Sequence, residues 1–318
     1  MSSASSPTSG MSRPDWLSAI IVIVVWGLNF VVMKWGLAKL SPLLLCALRF
    51  AAASLPFLLF VRPPVNLSWG LLAAYGLVQG VGQFGLLFTG MKLGMPAGMA
   101  SVVLQTQAFI TMLLAAAFLQ EKPQRWQWLG LFIALAGLLL IGAAHGEGAS
   151  DMTLIGFVLT VGAAAMWAGS NLLTRVAARQ GSYEPVSFIV WTSVFPILPL
   201  LALSVWVDGA ESVVSQLGSI GWSELGVIAY LAFLSTLLGY GLWTRLLQRY
   251  TASTVAPLSL LVPVIGLLSA MLLLGESPNG LQWLGTLGVL LGMVVNQFGG
   301  RWRRRDALRG AGPDQRGP

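Results

Sequence analysis

The sequence predicts an all-α integral membrane protein whose ten transmembrane helices form two inverted five-helix repeats. Two observations lead to this fold: most of the chain consists of apolar runs long enough to cross a bilayer, and its second half repeats motifs of the first. Of the 318 residues, 56% are hydrophobic and 9% are charged, whereas charged residues make up about a quarter of an average soluble domain. The composition therefore excludes an ordinary soluble fold.

The apolar runs define the predicted spans. A helix needs roughly 20 apolar residues to cross a hydrocarbon core about 30 Å thick. Nine runs contain no Asp, Glu, Lys or Arg, and a tenth is interrupted only by Arg49. In chain order, the predicted spans are residues 16–33, 40–61, 63–91, 93–120, 126–144, 152–174, 185–207, 225–244, 250–275 and 277–300.

The distribution of basic residues predicts the orientation. If the N-terminus is cytoplasmic, 14 of the 18 Lys and Arg residues lie on the inner side and three on the outer side. The positive-inside rule then places both termini in the cytoplasm. The formal net charge of +7 does not indicate a nucleic-acid partner, because the basic residues form short clusters instead of a groove-sized face. We expect the bilayer itself to be the partner of these clusters.

An internal repeat organises the chain. Glu121 precedes a Gln-Trp-Leu-Gly motif at 127–130, and Glu276 precedes the same motif at 282–285, so the offset is 155 throughout. We expect a disordered N-terminal tail at 1–14, a first repeat of helices 1–5 at 15–145, a second repeat of helices 6–10 at 152–300, and a basic cytoplasmic tail at 301–318. Because five is odd, the second repeat begins on the opposite side of the membrane. Inverted repeats are typical of transporters whose substrate site lies near the bilayer midplane; an inert duplicated bundle is the alternative.

Several segments carry a family resemblance. The runs Trp26-Gly-Leu-Asn29-Phe30, Leu48-Arg49-Phe50, Gly94 to Ser101 and Ala256 to Val264 resemble the drug/metabolite transporter superfamily, and more closely its EamA branch of amino-acid metabolite exporters. The resemblance covers nearly the whole chain. It implies efflux of cysteine, O-acetylserine or related small metabolites across the inner membrane by alternating access. Export of another small metabolite or drug within the same superfamily is the alternative.

Polar side chains inside the spans are the first candidates for substrate binding. In lipid, such groups need a protein partner or a wet cavity. The candidates are Asn29, Gln83, Gln105, Gln107 and Asn171. Neutral amides donate to a carboxylate and accept from an ammonium group, so we expect a zwitterionic amino-acid derivative as substrate. The alternative is that these amides only join helices. Gln105 and Gln107 are two residues apart, so we expect only one of them to face the cavity.

Arg49 is the one formal charge well inside a span. Two roles remain open for it. The planar guanidinium group is suited to a substrate carboxylate. Alternatively, the residue is structural, since the motif that contains it recurs in the superfamily whatever the substrate. Because Arg49 lies about seven residues after Pro42, or roughly 10 Å along a helix, we expect its long side chain to extend toward the outer interface.

Aromatic residues and prolines complete the predicted site. Trp and Tyr usually lie in interfacial belts, but Trp26, Trp167 and Tyr240 fall deep within spans, so we predict that they line the cavity. Pro257 and Pro263 in the ninth span each remove a backbone donor. We predict a hinge there.

The remaining expectations concern what the chain lacks. An intramembrane enzyme would need a motif such as His-Glu-x-x-His or a pair of carboxylates within the spans, and the sequence contains neither. We therefore expect no catalytic residue, no metal and no cofactor. Glu121 and Glu276 fall at helix ends, where we expect surface positions. Without an intramembrane acid, we expect transport that is facilitated or antiport-like, and coupling through other groups is the alternative. A sensor or scaffold function would need an appended soluble domain. A homodimer is left open.

Overall fold

The computed structural model describes residues 11–146, 152–250 and 252–310, and all regular secondary structure in that part of the chain is helical. The first half contains α1 (Arg13–Leu37), α2 (Pro42–Phe57), α3 (Trp69–Lys92), α4 (Ala97–Leu119) and α5 (Arg125–Ala143). The second half contains α6 (Leu154–Gln180), α7 (Pro185–Asp208), α8 (Trp222–Leu247), α9 (Pro257–Leu274) and α10 (Gly280–Gly310). A short unnumbered helix, Ala210–Gly218, lies between α7 and α8. The all-α membrane fold is confirmed.

The count of ten spans stays a prediction. Within the described residues, nine helices are long and apolar enough to cross a bilayer, and α2 is shorter. It consists of a 13-residue α-helix and a three-residue 3₁₀ turn, about 24 Å at 1.5 Å per residue. The predicted run 40–61 is therefore too long. The chain leaves the helix after Phe57, ahead of Pro63 and Pro64, which have no backbone N–H to continue it.

The tails also differ from the prediction. Helix α1 begins at Arg13, inside the segment 1–14 that we expected to be disordered. Pro14 is at the start of the helix and the Ser12 hydroxyl accepts from the Asp15 N–H, two features that start a helix. Helix α10 continues to Gly310, into the predicted tail 301–318. Residues 1–10, 147–151 and 311–318, which include the linker between the predicted repeats, lie outside the described residues.

The helices that cross the interior depart from regular α-geometry at matching places in the two halves. Nine-residue π-helical segments lie at Leu77–Gly85 in α3 and Tyr230–Leu238 in α8. Turns of 3₁₀ helix lie at Leu104–Thr106 in α4 and at Ala256–Leu260, where α9 begins. π-segments are rare and often accompany functional sites. Each half therefore places one irregular pair of helices against the interior.

The two halves are joined by close helix packing. Helix α5 lies along α10 so closely that a Cβ atom at Gly137 would come within 2.5 Å of the Gly285 carbonyl oxygen, and one at Gly292 within 2.5 Å of the Gly130 carbonyl oxygen. Small residues allow such an approach, and close packing is a main source of helix association in lipid. The pair α5–α10 thus fastens one half to the other.

Polar contacts join helix ends that the sequence predicts to lie on the same side of the membrane. At the predicted inner end, Arg249 Nη1 lies 3.0 Å from Asp15 Oδ1, and Arg175 Nη1 lies 2.9 Å from both carboxylate oxygens of Glu121. Glu276 lies at the opposite, predicted outer end. These contacts agree with the predicted sides of the helix ends that they join.

Candidate substrate site

A buried chamber, here called the central chamber, lies between the two halves near the middle of the helices. Its cavity volume is about 50 Å³, well below the roughly 300–1,000 Å³ of typical small-molecule sites, so the chamber is narrow in the described conformation. Its walls come from α1, α2, α3, α4, α6, α8 and α9, and are mainly apolar. The polar and large aromatic groups in the wall are Trp26, Asn29, Arg49, Gln83, Ser101, Gln105, Trp167, Ser235 and Tyr240.

A second chamber, here called the inner chamber, adjoins the first. Its cavity volume is about 340 Å³, and it shares Trp26, Gln105, Trp167, Tyr240 and Val262 with the central chamber. Its other lining residues include Tyr75, Gln107, Asn171, Thr174, Tyr183, Thr244 and Leu247. Several of these lie beside the arginines at the inner ends of α6 and α8, so the two chambers form a path from the protein's middle toward the predicted inner end.

All nine residues predicted to bind substrate line at least one of the two chambers. Asn29, Arg49 and Gln83 line the central chamber. Gln107 and Asn171 line the inner chamber. The remaining four, which line both, are Trp26, Gln105, Trp167 and Tyr240. The structure therefore brings these residues together, and their role in binding stays a prediction.

Arg49 is buried, with 1% of its surface exposed. Its Nε and Nη2 atoms donate to Thr236 Oγ1 at 3.1 and 3.0 Å, and its Cζ atom lies 3.9 Å from the centre of the Phe84 ring. The expectation that this side chain extends toward the outer interface is wrong, because Thr236 and Phe84 hold it between α8 and α3. None of the ion pairs among the described residues includes Arg49.

The amides of the fourth and sixth spans form a small network. Asn171 Nδ2 donates to Gln107 Oε1 at 2.7 Å and to Thr111 Oγ1 at 3.3 Å. These bonds join α6 to α4, as the helix-joining alternative requires, although Gln107 and Asn171 also line the inner chamber. The expectation that only one of Gln105 and Gln107 faces the cavity is wrong, since both line the inner chamber. The 3₁₀ turn at Leu104–Thr106 changes the angle between them.

Aromatic side chains mark the boundary between the chambers. The Trp26 indole Nε1 donates to the Ser235 carbonyl oxygen at 3.1 Å, and its ring centre lies 5.1 Å from that of Tyr240 and 5.5 Å from that of Trp243. The Tyr240 hydroxyl accepts from Gln79 Nε2 at 3.0 Å. These contacts fix the rings within the helix bundle, away from the interfacial belts that Trp and Tyr usually occupy.

The predicted hinge coincides with an irregular segment. Pro257 lies in the 3₁₀ turn at the start of α9. Pro263 is buried within the regular part of α9, and its carbonyl oxygen accepts from Ser101 Oγ at 3.3 Å. The break at Pro257 is where bending requires the fewest hydrogen bonds to change. Hinge motion there stays a prediction.

The predicted outer end is closed. Met33, Met91 and Met95 are each at most 1% exposed. Glu276, between α9 and α10, accepts from the Ala97 N–H at 2.7 Å and the Gly98 N–H at 2.8 Å, at the start of α4. We call this contact between the halves the outer cap. Glu276 is half-buried at this helix end, and the orphan N–H groups at the α4 N-terminus bind its carboxylate.

The inner end differs from the outer end. Glu121, the repeat counterpart of Glu276, is half exposed and pairs with Arg175, which agrees with its predicted surface position. Tyr183, in the connection between α6 and α7, lines the inner chamber. Burial raises the pKa of Tyr183, so its phenol stays neutral in the physiological range.

Sequence reasoning missed several residues at this site. Thr236 and Phe84 hold Arg49, and Tyr75 lines the inner chamber. Thr, Phe and Tyr are ordinary in membrane helices, so no sequence signal distinguished them. For Glu276 a sequence signal was available. Its position in the repeat places it directly before α10, which starts at the same end of the bundle as α4.

Comparison with known proteins decides the family. The chain matches the EamA-like transporter family over residues 16–143 and 154–297. It belongs to the EamA-like transporter family. A relative from Salmonella typhimurium is 45% identical over 302 residues, which cover 94% of this chain and all of the relative. A relative from Escherichia coli K12 is 43% identical over 92% of this chain and 98% of the relative. Both are named "Probable amino-acid metabolite efflux pump".

More distant relatives share the architecture. A protein from Streptantibioticus cattleyicolor, named "Probable terminal-alkyne amino-acid exporter", is 26% identical over 90% of this chain and 94% of the relative. A solved crystal structure with 17% identity has a TM-score of 0.58 over 92% of this chain and 99% of that chain, which shows the shared fold alone. The predicted family resemblance is confirmed. This EamA-like protein is a multi-pass membrane transporter of a small molecule and not an enzyme.

Proposed function

We propose that this EamA-like transporter exports small amino-acid metabolites, such as cysteine, O-acetylserine or related compounds, from the cytoplasm across the inner membrane by alternating access. The names of the two relatives at 43% and 45% identity support the substrate class. The inverted repeat supports the alternating mechanism, since a site between inverted halves is reached from one side at a time.

The chemistry of the chamber walls carries this proposal. The described lining residues include amides, hydroxyls and one guanidinium group, and no carboxylate. Such a wall offers donors to a carboxylate and acceptors to an ammonium group. It does not favour a ligand that is only cationic, because the charge of Arg49 has no acid beside it to compensate. A small zwitterion fits the polarity of both chambers and the volume of the inner chamber, about 340 Å³.

The difference between the two ends is consistent with export, and the names of the two relatives support that direction. The path through the inner chamber leads toward the end that carries the arginines of α6 and α8, which the positive-inside rule assigns to the cytoplasm together with both termini. The outer cap closes the other end. We infer that the described conformation accepts substrate from the cytoplasm and that release outside requires the outer cap to separate.

Metabolite profiling tests the substrate class. A bacterium that overexpresses the protein and is fed cysteine precursors should release more amino-acid derivatives into the medium than cells with an empty vector. Asn29→Ala and Gln105→Ala should reduce this release, because each removes a chamber amide. Gln297→Ala is a matched control, since Gln297 is a glutamine of α10 that lines neither chamber.

Two results would contradict the proposal. Release of a different metabolite or drug, with amino-acid derivatives unchanged, would favour the alternative within the superfamily. Equal loss of release in Gln297→Ala and the chamber variants, at equal protein levels in the membrane, would remove the chambers from the transport path.

A further inference from the structure

Three side chains of the central chamber each have a polar atom that no described protein group satisfies. The atoms are Asn29 Oδ1, Arg49 Nη1 and Gln83 Oε1. All three residues are more than nine-tenths buried, with 6%, 1% and 2% of their surfaces exposed. They come from three different helices, α1, α2 and α3, and all line the same chamber. The three unsatisfied atoms therefore share a chamber although their residues lie on different helices.

Unsatisfied buried polar atoms are uncommon and unfavourable. Leaving such an atom without a partner destabilises a folded protein, and more so when the group is charged. Two other such oxygens among the described residues, on Thr286 and Gln297, lie on α10 and line neither chamber. Three unsatisfied atoms on side chains that line one chamber, one donor and two acceptors, indicate a ligand that supplies the complementary groups.

The donor among them is charged and has a fixed orientation. Thr236 Oγ1 accepts from Nε and Nη2 of Arg49, and the Phe84 ring covers the guanidinium group at 3.9 Å from its Cζ atom. Both partners are neutral, so the positive charge remains uncompensated. A guanidinium group keeps its proton in proteins, and it binds carboxylates more strongly than neutral acceptors. Its remaining donor, Nη1, is thus suited to a carboxylate oxygen.

The two acceptors are suited to the opposite pole of a ligand. Amide oxygens accept from an ammonium group, which has three donors and no acceptor. The rest of the wall is apolar, with Phe30, Met33 and Leu104 among its residues, and accommodates a short side chain. An amine without a carboxylate would leave Arg49 uncompensated, and a carboxylic acid without an amine would leave both amide oxygens unsatisfied.

We propose that the central chamber is a two-pole site for an α-amino acid, in which Arg49 Nη1 binds the carboxylate and Asn29 Oδ1 and Gln83 Oε1 accept from the ammonium group. This assignment rests on the proposed function and makes Arg49 the residue that selects for a free carboxylate. In the described conformation the three atoms are closed off from water, so binding involves a small rotation of these side chains into the chamber.

Substrate analogues test the assignment on the unmodified protein. Binding of O-acetylserine is compared with binding of its methyl ester, which masks the carboxylate, and of its N-acetyl derivative, which masks the amine. Purified full-length protein in nanodiscs is used, with tryptophan fluorescence as the signal, since Trp26 and Trp167 line the chamber. We expect each analogue to bind at least about tenfold more weakly, because a hydrogen bond to a charged group contributes about 1.5–3 kcal/mol.

Variants then assign the poles. Arg49→Gln should weaken binding of O-acetylserine by about 10- to 100-fold and leave binding of the methyl ester nearly unchanged. Asn29→Ala and Gln83→Ala should instead remove the discrimination against the N-acetyl derivative. Gln297→Ala should alter neither preference.

Several outcomes would overturn the two-pole site. Equal binding of O-acetylserine and its methyl ester by the unmodified protein would refute it, even if Arg49→Gln fails to insert. Discrimination that persists in Arg49→Gln would show that the residue only supports the helices. Absence of O-acetylserine binding would also refute the site. Export of amino-acid derivatives by cells is measured separately, so the proposed function can survive each of these results.

Discussion

The outer cap predicts how Glu276→Gln shifts the equilibrium between the closed and the open outer end. Glu276 joins the α9–α10 connection to the start of α4 through two N–H groups, at 2.7 and 2.8 Å. Outward opening must break both bonds. In Glu276→Gln the shape of the side chain is kept, but the charge and one of the two acceptor oxygens are lost.

The magnitude follows from these two bonds. A hydrogen bond to a charged group contributes about 1.5–3 kcal/mol, and a neutral one about 1 kcal/mol. Replacing two charged bonds by one neutral bond in this half-buried position should weaken the closed outer end by about 2 kcal/mol, or roughly 30-fold in the equilibrium, since 1.4 kcal/mol is tenfold. The outward-open population should rise by that factor.

Thiol labelling measures this population. Cys46 is the only cysteine of the chain, so it is first replaced by Ala, and Met33→Cys is then introduced at the closed outer end, where Met33 is 1% exposed. A membrane-impermeant maleimide added to cells should label this thiol roughly 30-fold faster in Glu276→Gln, because labelling requires the open form.

The counterpart Glu121 supplies the control. Its ion pair with Arg175 is about half exposed, and exposed pairs contribute at most about 1 kcal/mol. Glu121→Gln should therefore leave labelling at position 33 nearly unchanged. A labelling rate in Glu276→Gln equal to that of the parent would refute the reasoning that the outer cap holds the outer end closed.

Three further predictions concern packing, energy source and orientation. Gly292→Ala should lower the melting temperature in detergent, because its Cβ would lie 2.5 Å from a carbonyl oxygen of α5 and overpacking costs about 1–3 kcal/mol. Gly226→Ala should be neutral or slightly stabilising, because a Cβ added there meets nothing within 4 Å. Equal losses of melting temperature in the two variants would contradict the packing argument. Because no carboxylate is among the described chamber-lining residues, an imposed pH gradient should change the initial export rate in proteoliposomes by less than about twofold, and a strong dependence would contradict uncoupled transport. A tag after residue 318 should be labelled only from the cytoplasm, and periplasmic labelling would contradict the inverted architecture.

Much of the fold could be predicted from sequence, since hydropathy reports directly on lipid exposure. Every predicted span overlaps a helix of the structure, although α2 is shorter than its apolar run. The start of α1 was missed because it depends on a local contact between Ser12 and Asp15. The exact ends of helices depend on such local contacts, and composition does not predict them.

The candidate site was predicted in its members and not in its geometry. The rule that polar groups in lipid need partners selected residues such as Asn29, Gln83 and Arg49. The same rule could not indicate that Arg49 is buried against Thr236, which is 187 residues away in the chain. Nor could it show that a 3₁₀ turn lets Gln105 and Gln107 line one chamber.

The sequence by itself determined the membrane fold, the repeat and the family, because apolar length and repeated motifs are properties of single segments. Tertiary structure alone decided which polar atoms remain unsatisfied and which end is closed. Glu121 and Glu276 have the same motif in sequence, yet one forms an exposed ion pair and the other caps a helix of the opposite half. That difference depends on how the halves are placed around the chambers, and no local sequence pattern contains it.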